Sequence, residues 1–261
     1  MKFLTSRDNP KFKDLLALAS RARVRREQRQ TLLDGEHLLT AALEAGLLPR
    51  MMLFADHSPE ALMDRWQASL PEVPCYSLAR ALFRELSPVD TPSGLLAVVD
   101  IPQSPSAVED GSAFLLLLEN IQDPGNLGAL MRVAAAAGCR RVCLSSGCAE
   151  AWSPKSLRGG QGAQFQLQIV ENADLVAEAA GWPGPVHAGL LGAKSSLYDL
   201  DLRGPTGFAF GNEGAGLSPA LQAACSPFSI PMPGRVESLN VATAAAVCLF
   251  EGVRQRGAQI S

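Results

Sequence analysis

Residues 230–247 read Ile230-Pro-Met-Pro-Gly-Arg-Val-Glu-Ser-Leu-Asn240-Val-Ala-Thr-Ala-Ala-Ala-Val247. A short apolar strand ends in a Pro/Gly-rich loop. Three polar residues, Glu237, Ser238 and Asn240, precede an alanine-rich helix expected to run to about Gln255. Asn240 is placed to cap that helix. The helix start turns unpaired N–H groups and a positive dipole end toward the loop. Such a loop can hold a small polar ligand with main-chain groups.

Outward from this stretch, short apolar strands alternate with helices. Strands are expected at 113–118, 142–144, 165–169, 186–190, 207–210 and 228–230. Helices are expected at 127–137 (closed by Gly138), 173–180, 218–224 and 240–256, with a short helix or turn at 154–162. This alternation argues for a parallel sheet covered on both faces. General connection rules then give an unknotted doubly wound fold.

Residues 103–112, Gln-Ser-Pro-Ser-Ala-Val-Glu-Asp-Gly-Ser, have the composition of a linker. They divide residues 1–102 from a domain at 113–261. The first part predicts a helix over 9–28, then Leu32–Leu39 leading into a helix that ends near 45. Strands follow at 51–54, 73–76 and 94–99, and helices at 59–68 and 77–85. This is a small α/β unit.

The chain has 261 residues, 47% of them hydrophobic, so a sizeable core is available. Mean hydropathy is +0.09, but no apolar run approaches the ~18 residues of a membrane span. The N-terminus lacks a signal-peptide core, so a cytoplasmic protein is expected. The six cysteines, 75, 139, 143, 148, 225 and 248, form no Cys-x-x-Cys pair. Free thiols are the expectation, with no metal site. Net charge is only −3, yet residues 1–50 hold ten Lys/Arg against six Asp/Glu. Arg21, Arg23, Arg25, Arg26 and Arg29 crowd one short segment. That run is either a solvated helix face or an RNA-backbone patch.

Two further segments carry unusual polar residues. The first is Glu119-Asn-Ile-Gln-Asp-Pro-Gly-Asn126-Leu-Gly-Ala-Leu-Met-Arg132-Val-Ala-Ala-Ala-Ala-Gly138. The second is Phe208-Ala-Phe-Gly-Asn-Glu213-Gly-Ala-Gly-Leu217. In this order, with 230–247 as the third, they resemble the three motifs of the SpoU (TrmH-like) RNA ribose 2′-O-methyltransferases of the SPOUT superfamily. The close resemblance spans about 112–256. Ser6, Asn9, Pro10, Lys13, the Gly35-Glu36-His37 turn and Thr91-Pro-Ser-Gly-Leu-Leu-Ala97 resemble, less specifically, the substrate-binding domain fused to many such enzymes, itself similar to kink-turn-binding ribosomal proteins.

The resemblance implies a C-terminal trefoil knot, S-adenosylmethionine as cofactor, RNA as substrate and a homodimer. Ribosomal RNA is the expected target; transfer RNA, or a silent RNA-binding protein on the same fold, are the alternatives. It implies catalytic or active-site roles for Asn126, Arg132, Glu213, Ser238 and Asn240. It implies cofactor contacts at Gly211, Ile230, Met232 and Leu239. The glycines at 211, 214 and 216 are out of order for a dinucleotide fingerprint, which disfavours a Rossmann-type methyltransferase or dehydrogenase.

Methyl transfer to a ribose hydroxyl needs an aligned oxygen and stabilisation of the charge that develops on it. Arg132 is the candidate for that charge. Arg158 is expected to contact phosphate or a partner subunit. It lies in Ser153-Pro-Lys-Ser-Leu-Arg158-Gly-Gly-Gln-Gly162-Ala163, where Gly159 and Gly160 replace the family's Ala-Ser, so a more flexible loop is expected. The 240–256 helix carries Ala242, Ala244, Ala245, Ala246, Val247, Leu249, Phe250 and Val253. That is apolar surface on most sides, more than one core-facing stripe requires; a partner copy is expected to cover part of it.

Overall fold

The computed structural model describes residues 1–89, 91–103, 114–212 and 214–257. The expected linker lies outside the described residues apart from Gln103. Two compact units emerge. The first is Met1–Gln103 with Trp152–Phe165; the second is Ser104–Ala151 with Gln166–Ser261.

The first unit begins with β1 (Lys2–Leu4), α1 (Pro10–Ser20), α2 (Ala22–Gln28) and β2 (Gln30–Asp34). It continues with α3 (Glu36–Glu44), β3 (Met51–Ala55), α4 (Glu60–Ser69), β4 (Cys75–Leu78), α5 (Arg80–Leu86) and β5 (Leu95–Asp100). The sheet order is β1-β4-β3-β5-β2. Only β5 runs against its neighbours. Phe12, Leu15 and Leu18 of α1 and Phe83 of α5 pack with Leu32, Leu53, Leu78, Leu96 and Val98 of the strands.

The single helix expected over 9–28 is two. Asn9 caps α1, its side chain accepting from the Lys11 N–H. Arg21 is extended (φ −119°, ψ 112°) and separates α1 from α2. Arg25 then reaches back, its Nη1 donating to the carbonyls of Leu18 (2.7 Å) and Ala19 (2.9 Å). Those are orphan acceptors at the end of α1, now satisfied. The strands β1 and β2 were not expected. β1 is a three-residue edge strand, too short to show a period.

The segment Trp152–Phe165 completes the first unit. It contains α7 (Pro154–Gly160), which packs on β2. The buried Thr31 hydroxyl donates to the Trp152 carbonyl at 2.6 Å. The expected loose Gly159-Gly160 loop is instead the last turn of α7. A Cβ at Gly160 would press on the amide end of the buried Gln164 side chain, which would have to move to admit one.

The second unit comprises β6 (Phe114–Leu118), α6 (Pro124–Ala136), β7 (Cys139–Leu144), β8 (Gln168–Glu171), α8 (Leu175–Gly181) and β9 (Val186–Gly189). It ends with β10 (Thr206–Phe210), α9 (Pro219–Ala223), β11 (Ser226–Phe228) and α10 (Val241–Gln255). The order is β11-β9-β10-β6-β7-β8, and every neighbouring pair is parallel. The expected parallel sheet is therefore present. Its central strand β6, Phe-Leu-Leu-Leu-Leu, is buried throughout, as a strand covered on both faces must be. The expected strand at 165–169 divides into a 3₁₀ turn (Ala163–Gln166) and β8.

α10 packs on α6. At its far end the Arg256 guanidinium lies 3.6 Å from the Phe114 ring centroid, and its Nε donates to the Leu202 carbonyl at 2.8 Å. A Cβ at Gly252 would meet the Phe114 ring at 2.5 Å, so the helix can lie this close only with glycine there. All six cysteines are free thiols. Burial pushes the Cys139 and Cys143 thiols up to about 12. Among the described residues no group of three or more His, Cys, Asp or Glu could hold a metal, and no helix is long and apolar enough to cross a membrane.

His187 on β9 is the odd residue of this core. It is 6% exposed, with ring centroids of Phe208 and Phe228 at 5.9 and 6.2 Å. Neither of its ring nitrogens has a hydrogen-bond partner among the described residues. Burial lowers its pKa from the ordinary value. The unfolded imidazole takes up a proton near pH 6.5 while the folded one resists it, so stability drops as pH falls below that point. His187→Leu is expected to be more stable than wild type at pH 5 by roughly 1 kcal/mol or more. The gap should shrink toward pH 8. Urea unfolding at pH 5, 6.5 and 8 checks this; a gap that ignores pH would show that the imidazole is not held neutral.

Candidate active site

In the second unit the chain runs from β6 to β7 and β8 on one side, then returns to β9, β10 and β11 on the other. The order reverses between β6 and β10. Ligands of open α/β sheets bind outside the carboxyl ends of the strands at such a point. A cleft of about 570 Å³ opens beside it, at the carboxyl ends of β9, β10 and β11, lined by residues 189–192, 210–212, 214–217, 228–232, 238, 239, 241 and 244. Its walls are the loops after β9, β10 and β11 and the start of α10.

The loop after β10 is built on glycine. A Cβ at Gly211 would sit 2.2 Å from the Gly216 carbonyl oxygen, so no other residue permits this fold-back. Gly216 has φ +69°, in the left-handed region. Asn212 shapes the turn from inside. Its Oδ1 accepts from the N–H groups of Gly214 (2.8 Å) and Ala215 (3.1 Å). Its Nδ2 donates to the Asn120 carbonyl at 3.1 Å.

A second tie joins the same two loops. A Glu119 carboxylate oxygen accepts from the Ser218 N–H at 2.7 Å. Ser218 in turn caps α9, its Oγ accepting from the Leu221 N–H. The β6–α6 loop therefore holds the β10–α9 loop at both ends of the glycine turn.

The two helix starts are joined directly. Asp123 caps α6, accepting from the Asn126 N–H at 2.7 Å. Asn240 caps α10 as expected, accepting from Ala242 and Thr243 at 2.9 and 3.4 Å. Its Nδ2 donates to Asn126 Oδ1 at 2.9 Å.

All four residues expected to contact a cofactor, Gly211, Ile230, Met232 and Leu239, line the cleft, as does Ser238. Asn126 and Asn240 stand together at its edge, Asn240 directly following Leu239. Arg132 lies six residues beyond Asn126 on α6, with its side chain exposed. Glu213 lies outside the described residues. Arg158 is exposed on α7 and belongs to the first unit.

On α2 and its two caps, Arg21, Arg23, Arg26 and Arg29 are exposed, and Arg23 pairs with Glu27. Arg25 corrects the expectation of an RNA contact. It is 4% exposed, and its guanidinium is committed to α1 carbonyls. Arg29 donates to the carbonyls of Ile101 and Pro102.

Sequence reasoning passed over Glu119, Asn120 and Asn212 as site builders. Asn212 carried a signal, since Asn before a glycine-rich turn bonds its own backbone. Glu119 carried none, because its partner lies 99 residues away.

Comparisons with known proteins place the chain in a family. Residues 113–250 match the SpoU rRNA Methylase family, and residues 9–97 match the MRM3-like substrate binding domain. The chain is 31% identical to the 23S rRNA (guanosine(2553)-2′-O)-methyltransferase of Bacillus subtilis, over 96% of this chain and 98% of that one. It superimposes on a crystal structure of an RNA 2′-O ribose methyltransferase, 30% identical, with a TM-score of 0.85 over 98% of this chain and 100% of that one. The SpoU methyltransferase AviRb of Streptomyces viridochromogenes, in complex with AdoMet, is 28% identical with a TM-score of 0.81, covering 95% and 99%. Fold, cleft and likeness define an RNA methyltransferase. The chain belongs to the SpoU rRNA methylase family.

The Glu119 tie can be tested without any ligand. Glu119→Ala leaves the Ser218 N–H without its acceptor. It should lower unfolding free energy by roughly 1–3 kcal/mol and speed amide exchange at Ser218. Glu119→Gln keeps an acceptor oxygen and should recover most of both. Equal exchange rates in all three proteins would mean the tie does not hold the loop.

Proposed function

We propose that this protein transfers a methyl group from S-adenosylmethionine to a ribose 2′-hydroxyl of ribosomal RNA. The observation that carries the reading is one glycine-lined cleft flanked by the Asn126–Asn240 pair. At about 570 Å³ it falls within the ~300–1,000 Å³ of small-molecule sites. The backbone cradle at Gly211, which a Cβ would fill, suits a ligand gripped by main-chain groups. The cofactor, when bound, supplies a methyl on a positively charged sulfur.

Everything else falls to the chain. Ile230, Met232 and Leu239 give half-buried apolar walls for an adenine ring. Asn240 fixes the start of α10 and, through Asn126, the start of α6. Arg132 stabilises the negative charge that develops on the ribose oxygen. It does not remove the proton, since a guanidinium stays charged at any working pH; the proton leaves to phosphate or water. Glu213 orients Arg132, and Ser238 contacts the substrate at the cleft rim.

The N-terminal unit, a ribosomal-protein-like module in this reading, holds the RNA. Arg21 and Arg26 provide backbone contacts. Arg23 joins them by exchanging Glu27 for phosphate, an exposed pair worth little in itself. Arg158 contacts phosphate or a partner subunit. The chain beyond β10 forms the family's trefoil knot, and the enzyme works in the cytoplasm as a homodimer through the second unit. Phe250 of α10 supports the dimer, being 47% exposed on a helix otherwise rich in buried apolar residues.

Arg132→Ala should cut the methyl-transfer rate by roughly 10²–10³ and leave cofactor affinity within a few-fold. Single-turnover assays with isothermal titration of S-adenosylmethionine check both. A near-wild-type rate would remove Arg132 from the reaction. Sedimentation at micromolar concentration should give a dimer; an active species at the 27.6 kDa chain mass would exclude one.

A further inference from the structure

Among the described residues, four that are not glycine hold a positive φ: Arg29, Asn120, Gln161 and Asn172. Arg29 and Gln161 close α2 and α7, where this conformation is customary. Asn172 follows the edge strand β8. Asn120, at φ +55°, stands elsewhere. It follows β6, beside β10, where the strand order reverses. A side chain in the left-handed region persists when its surroundings over-determine it.

Those surroundings are two other loops. The Asn120 N–H donates to Ser145 Oγ at 2.9 Å, from the loop after β7. The Asn120 carbonyl accepts from Asn212 Nδ2 at 3.1 Å, from the glycine turn after β10. The Asn120 side chain lies over Gly147, where a Cβ would displace its amide. One residue on, the Ile121 carbonyl accepts from the Ala149 N–H at 2.7 Å. Both backbone polar groups of Asn120 are thus taken by side chains distant in sequence.

The φ of Asn120 sets the direction in which the chain leaves β6. Three residues on, Asp123 caps α6, the helix that carries Asn126 and Arg132. Asn212 itself lines the cleft, and its Oδ1 holds the turn through the N–H groups of Gly214 and Ala215. One amide therefore touches both the ligand side and the loop that leads to the reacting side chains. Aspartate at 212 would keep the acceptor and lose the donor.

We propose that Asn212 is a positioning residue for methyl transfer. It holds Asn120 in the left-handed conformation and so fixes where α6 presents Arg132 relative to a ligand in the glycine cleft. It acts through Asn120, without contact to the reacting atoms. The inference rests on the RNA-methyltransferase reading and adds a residue that reading leaves out. A misplacement of about 1 Å between reacting groups can cost up to ~10²-fold in rate.

The test uses the full-length protein, S-adenosylmethionine and an unmodified transcript of 23S ribosomal RNA, below the melting temperature of every variant. Asn212→Asp should slow single-turnover methyl transfer by roughly tenfold or more. Its affinities for cofactor and transcript should stay within a few-fold of wild type. Asn120→Ala and Asn120→Gly both remove the amide, but only glycine takes φ +55° freely. The Ala variant should reproduce the slow rate, and the Gly variant should keep most of the wild-type rate.

A wild-type rate in Asn212→Asp would overturn the inference. So would a cofactor affinity that falls as far as the rate, since Asn212 would then only shape the cleft. Equal rates in the Ala and Gly variants would show that the conformation of Asn120 does not matter. Each of these leaves the function standing. Wild type that transfers no methyl group to the transcript would overturn the function as well.

Discussion

The second unit hangs on the side-chain amide of Asn240. Its oxygen closes the start of α10 and its nitrogen reaches the Asn126 oxygen on α6. Aspartate could cap as well but has no hydrogen to give. Serine could do either but is too short to do both. The pair therefore sets two helix starts against each other, and with them the loops that feed those helices. Asp123 caps α6 through the Asn126 N–H, while the Asn126 side-chain oxygen accepts from Asn240. Three polar residues thus locate the corner of the cleft, and the apolar contact of α10 with α6 follows behind them.

Around that corner the loops are held by backbone groups. Asn212 and Glu119 hold the glycine turn after β10 to the loop after β6. This leaves the side of the cleft after β10 made of main chain and small residues, Gly211, Gly214, Ala215 and Gly216, while Ile230, Met232 and Leu239 also line it. Rigid loops of this kind lose little entropy on binding. The same economy explains the two glycines: a Cβ at 211 would meet the Gly216 carbonyl, while 216 itself holds a left-handed φ of +69°.

Much of this was legible in the chain itself, and the failures have identifiable causes. β6 is an uninterrupted apolar run and β10 ends in Phe-Ala-Phe, so their strand character was plain. Asn240 before an alanine-rich run was a readable cap. The break at Arg21 was not, because no glycine or proline marks it; Arg25 bonding back to α1 is visible only in three dimensions. α6 begins at Pro124, three residues before the expected start, since proline at the first helical position counts as a starter and not a breaker. The arginine cluster looked like one surface, yet burial divides it, and Arg25 is interior. Glu119 was quoted within a motif but its task depends on a residue far along the chain, which local pattern cannot disclose.

The membership of Trp152–Phe165 in the first unit has a consequence for biosynthesis. The amino-terminal sheet leaves the ribosome early, but the Thr31 hydroxyl finds its acceptor, and β2 its covering helix, only after residues 152–160 have emerged. Until then a nascent chain carries an incomplete first unit and a half-made second one. β6 and β7 are already out by that point, while β9, β10 and β11 are not. Vectorial synthesis therefore cannot finish the two units one after the other. The order of translation and the order of assembly are interleaved, and a stop anywhere between residues 103 and 165 leaves the first unit short of a piece that belongs to its own core.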